Sequence, residues 1–205
     1  MLPDSYLTLG QLYKGEFKDK GSRFLAFAFP VKDEEEAREI LKLLRKEHHA
    51  AAHVCWAYVL GYDGEFEKSS DDREPSGTAG RPILRTLQEK KLTFVLMAVV
   101  RYFGGKLLGV PGLIYAYGTS ASMALEHASV VEKKLYHRTF QPCDYTLHHE
   151  IIRICKQNQL KFFPDIQSST PGITFDVCST DKAKVLESLQ SFGFLAPIEL
   201  AVLID

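Results

Sequence analysis

The chain has 205 residues, of which 45% are hydrophobic and 25% charged, and its formal net charge is −1. That length suits one domain or two small ones, and the composition is that of a folded chain, not a disordered one. The charge balance excludes a global electrostatic attraction to nucleic acid while leaving local basic patches open.

The longest purely apolar run is Phe94 to Val100, far short of the about 20 residues that cross a bilayer, so no membrane partner is expected. The start Met1-Leu2-Pro3-Asp4 carries no basic or apolar leader, which makes the cytosol the expected compartment. Cys55, Cys143, Cys155 and Cys178 show no CxxC pairing. Free, mostly buried thiols in a reducing compartment are the expectation.

In chain order, Ser22 to Pro30 reads as a strand, with Leu25, Phe27 and Phe29 at period two and Pro30 as its stop. Asp33 with Glu36 three residues on is an acidic relative of the capping box. Ala37, Ile40, Leu41 and Leu44 then recur at helical spacing, predicting a helix over 33–48. Val54 to Leu60 is strand-like. Asp63 to Gly80 is a long polar stretch. Arg81-Pro82 opens a short helix with Ile83, Leu84 and Leu87 as its buried side. Thr93 to Tyr102 reads as a central strand ending in Gly104-Gly105. A helix over 113–128 follows, its small residues suited to close packing on a sheet.

A new pattern begins near Lys133-Lys134, read as a solvated linker. The spacing predicts a strand over 143–149, a helix over 150–159, strands over 162–168 and 173–178 around the turn Thr170-Pro171-Gly172, a helix from Asp181 and a strand over 198–203. Strand, helix, strand, strand, helix, strand is the ferredoxin-like order. The expected domains are therefore 1–135 and 136–205.

The information is concentrated between Asp71 and Gly112. Asp63, Glu65, Glu67, Asp71, Asp72 and Glu74 make one loop acidic, whereas Arg81, Arg85, Lys90, Lys91, Arg101 and Lys106 face the single acid Glu89 over 76–106. Two pieces are unusual for a connector. One is Ser70-Asp71-Asp72-Arg73-Glu74-Pro75-Ser76-Gly77-Thr78-Ala79-Gly80-Arg81-Pro82. The other runs from Val99 through Arg101, Tyr102, Gly104, Gly105 and Lys106 to Leu113. Backbone N–H groups at such a strand–turn–helix junction can hold an anion, helped by Arg101 or Lys106. Equally, the glycines can serve only a tight turn. The segment is neither a Walker A loop nor GxGxxG.

His53 and Cys55 lie two apart, on one face of a strand. They are a candidate thiol–base pair, though a buried core pair is preferred because a nucleophilic thiol needs a lowered pKa. Asp71, Asp72 and Glu74 can hold a divalent cation, cap the following helix, or pair with Arg81 and Arg101. Pairing is preferred, and it predicts an ordered loop. His48-His49 and His148-His149 are adjacent, so their side chains diverge. No metal or cofactor is assigned.

At these residues the sequence resembles the Impact/YigZ family, whose hallmark is similar to SDDGEPSGTAGRP followed by VVRYFGGxxLGxxGL and an AYG-type helix. The matches are Ser70 to Asp72, Glu74 to Pro82, Val99 to Gly105, Leu108, Gly109, Gly112, Leu113 and Ala116 to Gly118. Lys20 to Phe24 resembles its KxSRF start and Ala52 to Tyr58 its AxHxCxAY strand. The likeness spans roughly residues 15–128. Arg73 stands where the family usually has glycine, Lys106-Leu107 varies an IK or TL pair, and Val110-Pro111 replaces a small TG or TS pair.

The resemblance implies an α+β protein with an N-terminal ribosomal protein S5 domain 2-like domain and a C-terminal ferredoxin-like domain akin to domain V of elongation factor G. Eukaryotic members of the family act in translational control, by competing for the activator of the general-control kinase. For bacterial members, fold analogy suggests ribosome or nucleic-acid binding.

The expected function is thus a non-catalytic cytosolic binding protein linked to translation regulation. Its partner would be RNA, the ribosome or a ribosome-associated protein. The expected ligand-binding residues are Asp71, Asp72, Glu74, Ser76, Thr78, Arg81, Arg101, Tyr102, Gly104, Gly105 and Lys106, with Tyr102 and Phe103 either able to stack on bases or serving as strand-end core residues. The rival readings are a hydrolase using Cys55 and His53, or a metal on Asp71, Asp72 and Glu74, and a pure protein-interaction module. No HExxH and no nucleophile elbow accompanies the hydrolase reading.

Overall fold

The computed structural model describes residues 3–165 and 170–204. It is a mixed α+β chain whose contacts separate residues 6–132 from a second unit made of residues 1–5 and 133–205. The described residues contain β1 (Ser5–Leu9), β2 (Tyr13–Asp19), β3 (Ser22–Pro30), α1 (Glu34–Glu47), β4 (His53–Leu60), β5 (Phe66–Ser70), α2 (Gly80–Glu89), β6 (Val95–Tyr102) and α3 (Gly109–Leu125). They continue with β7 (Val130–Pro142), α4 (His148–Gln157), β8 (Lys161–Asp165), β9 (Gly172–Cys178), α5 (Lys182–Ser191) and β10 (Ile198–Ile204).

In the first unit the strand order is β2-β3-β6-β4-β5, antiparallel throughout. The near-continuous apolar run of β6 has a direct cause. Val95, Met97 and Val99 face a core shared with α2 and α3, while Leu96, Ala98 and Val100 face a second core shared with α1. Covering both faces turns the usual apolar–polar alternation into an apolar run, and each fully buried Val, Leu or Met side chain is worth about 1.5–3 kcal/mol. The helix around α1 starts as its sequence predicts. The Asp33 carboxylate accepts from the Glu36 N–H at 2.8 Å, and the Glu36 carboxylate accepts from the Lys32 N–H at 2.8 Å. Ala37, Leu41 and Leu44 are its buried stripe.

In the second unit the strands run β10-β7-β9-β8, again antiparallel. Ile173, Phe175 and Val177 pack with Ile151, Ile154, Cys155, Val185 and Leu189 of α4 and α5.

Two expectations are corrected here. Lys133-Lys134 is not a linker, because both residues lie inside β7. The inward positions of that strand include His137, Thr139 and Gln141, all buried, so polar residues hide its period-two pattern. Residues 143–149 are not a strand either. The Asp144 carbonyl accepts from the Leu147 N–H at 2.9 Å, a tight turn of 3₁₀ helix covers Tyr145–Leu147, and α4 begins at His148. The helical spacing of Ile151, Ile154 and Cys155 therefore extends back further than their own positions. The strand expected over 162–168 is β8, ending at Asp165, and its last expected residues lie outside the described ones. The edge strands β1, β2 and β5 were not expected from the sequence.

Candidate functional site

Strand parity builds the site. His53 and Cys55 on β4 and Arg101 on β6 share the sheet face that carries Val95, Met97 and Val99, and His53 lies opposite Arg101 in register. Over this end of the sheet passes the loop from Asp71 to Ala79. Glu74, from the middle of that loop, is 8% exposed and Arg101 5%. Arg101 Nη1 and Glu74 Oε1 are 2.5 Å apart. The same oxygen accepts the Tyr117 hydroxyl of α3 at 2.8 Å. Tyr117 is fully buried and sets its ring edge-on to Phe24 at 5.1 Å, while the Arg101 guanidinium lies over Phe24 and Phe103 at 5.4 and 5.5 Å.

The other acids are equally occupied. Asp71 Oδ1 accepts from the Ala79 and Gly80 N–H groups at 2.9 and 2.8 Å, and Oδ2 accepts from Gly77 N–H at 2.8 Å. Burial pushes this carboxyl up, but the three backbone donors together outweigh it and hold the pKa below its ordinary value. Asp71 thus caps the start of α2, from outside the helix. Gly80 has to be glycine, because a Cβ there would sit 2.8 Å from the Ser70 backbone nitrogen. Asp72 Oδ2 accepts from Val54 N–H at 2.7 Å and from Arg45 Nη1 at 3.0 Å. Its neighbour Arg73 has φ +71° and Asp72 itself φ +40°. Arg73 therefore occupies the left-handed conformation that favours glycine, at the position where the motif usually has one.

This arrangement decides several sequence expectations. The acidic loop does pair with cations, but through Arg45 and Arg101; Arg81 is exposed and makes no ion pair with it. Asp71, Asp72 and Glu74 each turn to different protein donors, and no group of three metal-ligating side chains converges among the described residues. Cys55 and His53 share a face without forming a nucleophile–base pair. The thiol is fully buried, 3.0 Å from the Asp71 carbonyl that accepts its proton and 3.3 Å from the Tyr117 hydroxyl. Burial pushes its pKa up to about 12, and the nearby Glu74, Asp72 and Asp71 charges add to that, so it remains a neutral thiol. Burial, with Cys55 and Glu74 beside it, also raises the pKa of Tyr117. His53 Nδ1 is 2.8 Å from the Asp72 carbonyl oxygen, which only accepts, so Nδ1 carries the proton; Nε2 faces Glu74 Oε1 at 3.7 Å.

The second motif forms the adjacent surface. Tyr102 points to the opposite sheet face, where its hydroxyl meets His48 Nδ1 at 2.8 Å. It is not available to stack on a base beside Arg101. Gly104 presses on the β2–β3 hairpin: a Cβ there would lie 1.9 Å from the Gly21 carbonyl carbon, and the Gly104 N–H donates to Ser22 Oγ at 3.2 Å. So this amide is not free to cradle an anion. Gly105 and Lys106 are exposed. Ser76 is exposed, and the buried Thr78 donates its hydroxyl to the Pro75 carbonyl at 2.7 Å.

What the sequence did not single out is the apolar ridge that follows. Leu107 is 84% exposed, Tyr115 64%, and Val110, Phe103 and Ile114 are about half exposed. Leu113, Ala116 and Tyr117 face inward on the same two turns of α3. Leu108 anchors the turn below. The only sequence signal was Val110, at a helix-start position where the family pattern has a small TG or TS pair. Arg45 gave no signal as a site residue, and Tyr117 was matched only as part of the AYG-type helix; the fold alone brings both to the loop.

The comparisons with known proteins coincide with this region. Residues 20–125 match the Impact N-terminal domain family model. The chain is 41% identical over 155 residues to the IMPACT family member YvyE of Bacillus subtilis, covering 76% of this chain and 71% of that one. It is 36% identical over 128 residues to the IMPACT family member YigZ of Escherichia coli, covering 62% and 63%. A crystal structure described only as that of a hypothetical protein superposes with a TM-score of 0.69 at 29% identity over 98% of both chains. The loop, the turn and the buried Glu74–Arg101–Tyr117 network all fall within the matched segment, and the chain belongs to the IMPACT family.

Proposed function

We propose that this is a non-catalytic cytosolic binding protein linked to translation regulation, and that its N-terminal unit docks a component of the translation apparatus through the β6–α3 turn. The single observation that carries this reading is the exposed apolar ridge, Phe103, Leu107, Val110, Ile114 and Tyr115, standing on a base fixed by the Glu74–Arg101–Tyr117 network. Large exposed apolar groups clustered on a rigid support mark an interaction surface. Within 103–115 the sequence has no acid and one cation, the exposed Lys106. The fitting partner surface is therefore apolar with an acid placed to meet Lys106.

That chemistry favours a ribosome-associated protein over bare ribosomal RNA, because Arg101 is occupied by Glu74 and Tyr102 by His48. The translation link itself rests on family membership and on the role of its eukaryotic members. A yeast relative, the IMPACT homologue of Saccharomyces cerevisiae, is 35% identical over 96 residues, 44% of this chain and 36% of that protein. Under this reading the N-terminal unit has a ribosomal protein S5 domain 2-like fold, and the strand order β10-β7-β9-β8 supports a ferredoxin-like C-terminal domain over 136–205.

The test is co-sedimentation of the purified full chain with ribosomes, before and after nuclease treatment. The double substitution Leu107→Ser with Ile114→Ser is expected to weaken binding at least tenfold while leaving the melting temperature in place. Retained binding by that variant sinks the site assignment. Binding abolished by nuclease alone would move the partner from protein to RNA.

A further inference from the structure

We infer that the C-terminal unit carries a second, separate binding site for the phosphates of a nucleotide, either free or within a single RNA strand. The site is an open cavity of about 790 Å³, within the 300–1,000 Å³ range of pockets that hold small organic ligands. Its floor is the outer side of the sheet. Lys161 of β8, Asp176 of β9 and Arg138 of β7 stand in one cross-strand row, and Cys178 and Tyr136 form the next. Lys134 of β7, the α4–β8 connection Gln157, Asn158 and Gln159, and Thr180, Asp181 and Lys184 around the junction of β9 and α5 complete the lining.

Charge is what singles this cavity out. Its lining holds four cations, Lys134, Arg138, Lys161 and Lys184, against two acids, Asp176 and Asp181, a balance of +2. Arg138 is engaged in a two-pronged pair with Asp176, Nε and Nη2 at 2.8 and 2.9 Å from its two oxygens. The three lysines are different. Lys134, Lys161 and Lys184 are all exposed, and none is paired with a carboxylate among the described residues; Lys161 only lies 5.2 Å from the Phe163 ring.

Three unpaired ammonium groups around one cavity repel each other, and a multivalent anion between them removes that repulsion. The choice of phosphate over carboxylate follows from the residue types. The planar fork that matches a carboxylate is that of Arg138, which already holds one. Lysines are point donors that suit the spread oxygens of a phosphate. The Tyr136 ring on the floor and the carboxamides of Gln157 and Gln159 at the rim supply a stacking surface and base-edge donors and acceptors. A nucleotide uses all three kinds of group, whereas inorganic polyphosphate uses only the lysines.

The test titrates the full chain with ATP, with a single-stranded RNA dodecamer and with inorganic tripolyphosphate, following backbone amide shifts. Shifts are expected at 134–138, 157–161 and 176–184 with ATP or with RNA, whichever binds tighter identifying the source of the nucleotide. Lys134→Gln, Lys161→Gln and Lys184→Gln combined should weaken that binding at least tenfold with an unchanged melting temperature. If RNA is the ligand, three phosphate contacts predict about a tenfold loss between about 50 and about 150 mM salt. The Leu107→Ser, Ile114→Ser variant should bind these probes as the wild type does, which keeps this site separate from the ridge. The inference is overturned if neither ATP nor RNA shifts these residues, if the triple variant binds like the wild type, or if tripolyphosphate binds as tightly as both nucleotide probes.

Discussion

Two arginine–carboxylate pairs make the instructive contrast in this molecule. In the N-terminal unit, the Arg101 and Glu74 side chains are 6% and 4% exposed and sealed by Tyr117 and Phe24. In the C-terminal unit, Arg138 and Asp176 make a similar bond, but the arginine side chain is 36% exposed at the floor of an open cavity. The first pair fixes a loop and is lost to solvent and ligand alike. The second neutralises one acid and leaves neighbouring lysines available. Burial, not the charge pattern along the sequence, separates scaffold cations from binding cations.

The largest predicted effect breaks this contrast most directly. Glu74→Ala leaves the Arg101 charge buried without a partner, and a loss of about 3–5 kcal/mol is expected. Asp176→Ala releases an arginine that can turn to water, so its cost is expected to be about 1 kcal/mol or less. Urea unfolding of both variants measures the difference. Equal losses would mean that the two pairs do not differ in kind.

How far this was legible beforehand depended on which residues carried the signal. The long elements of the N-terminal unit were readable because β3 and α1 bury apolar side chains at a clean period and β6 is an apolar run covered on both faces. The acidic loop was readable as an ordered, paired element from its composition and motif. The partners were not, because Arg45 and Tyr117 reach the loop only through the fold, and the AYG-type match that holds Tyr117 does not say what its hydroxyl bonds. Strand parity was the missing step for Tyr102: adjacent to Arg101 in sequence, it necessarily points to the other face. In β7, buried His137, Thr139 and Gln141 erase the apolar alternation, so Lys133-Lys134 reads as a linker and the first strand of the second domain is expected at 143–149 and not at Val130–Pro142.

A smaller effect concerns the cap on α2. Asp71 has its pKa lowered in the folded protein, so its contribution is fully present above the unfolded value of about 3.9 and is lost as pH falls through the folded value. Asp71→Asn keeps the shape but removes the charge. The variant is expected to be about 1 kcal/mol less stable than wild type at pH 7, the scale of a lost helix cap. The gap should shrink below about pH 4 and vanish once the wild-type carboxyl is protonated. A gap that stays constant from pH 7 to pH 2 would show that the carboxylate charge is not what the three backbone donors hold.

The smallest effect sharpens the contrast from within the loop itself. Asp72 and Arg73 both adopt left-handed backbone, which costs an ordinary L-residue about 1–2 kcal/mol. Asp72 is held there by its bonds to Val54 N–H and Arg45. Arg73 is exposed, and among the described residues no hydrogen bond or ion pair holds its side chain. Arg73→Gly relieves the strain but adds about 0.5–1 kcal/mol of unfolded-chain entropy, so a net gain of about 0.5 kcal/mol is expected. Asp72→Gly relieves a similar strain yet removes the anchor of β4 and α1 to the loop, so it is expected to lose stability. Thermal unfolding of the two glycine variants should therefore move in opposite directions. If both rise, backbone strain rather than the Asp72 anchor governs the loop. If both fall, the left-handed turn is not strained and the usual glycine of the family has another reason.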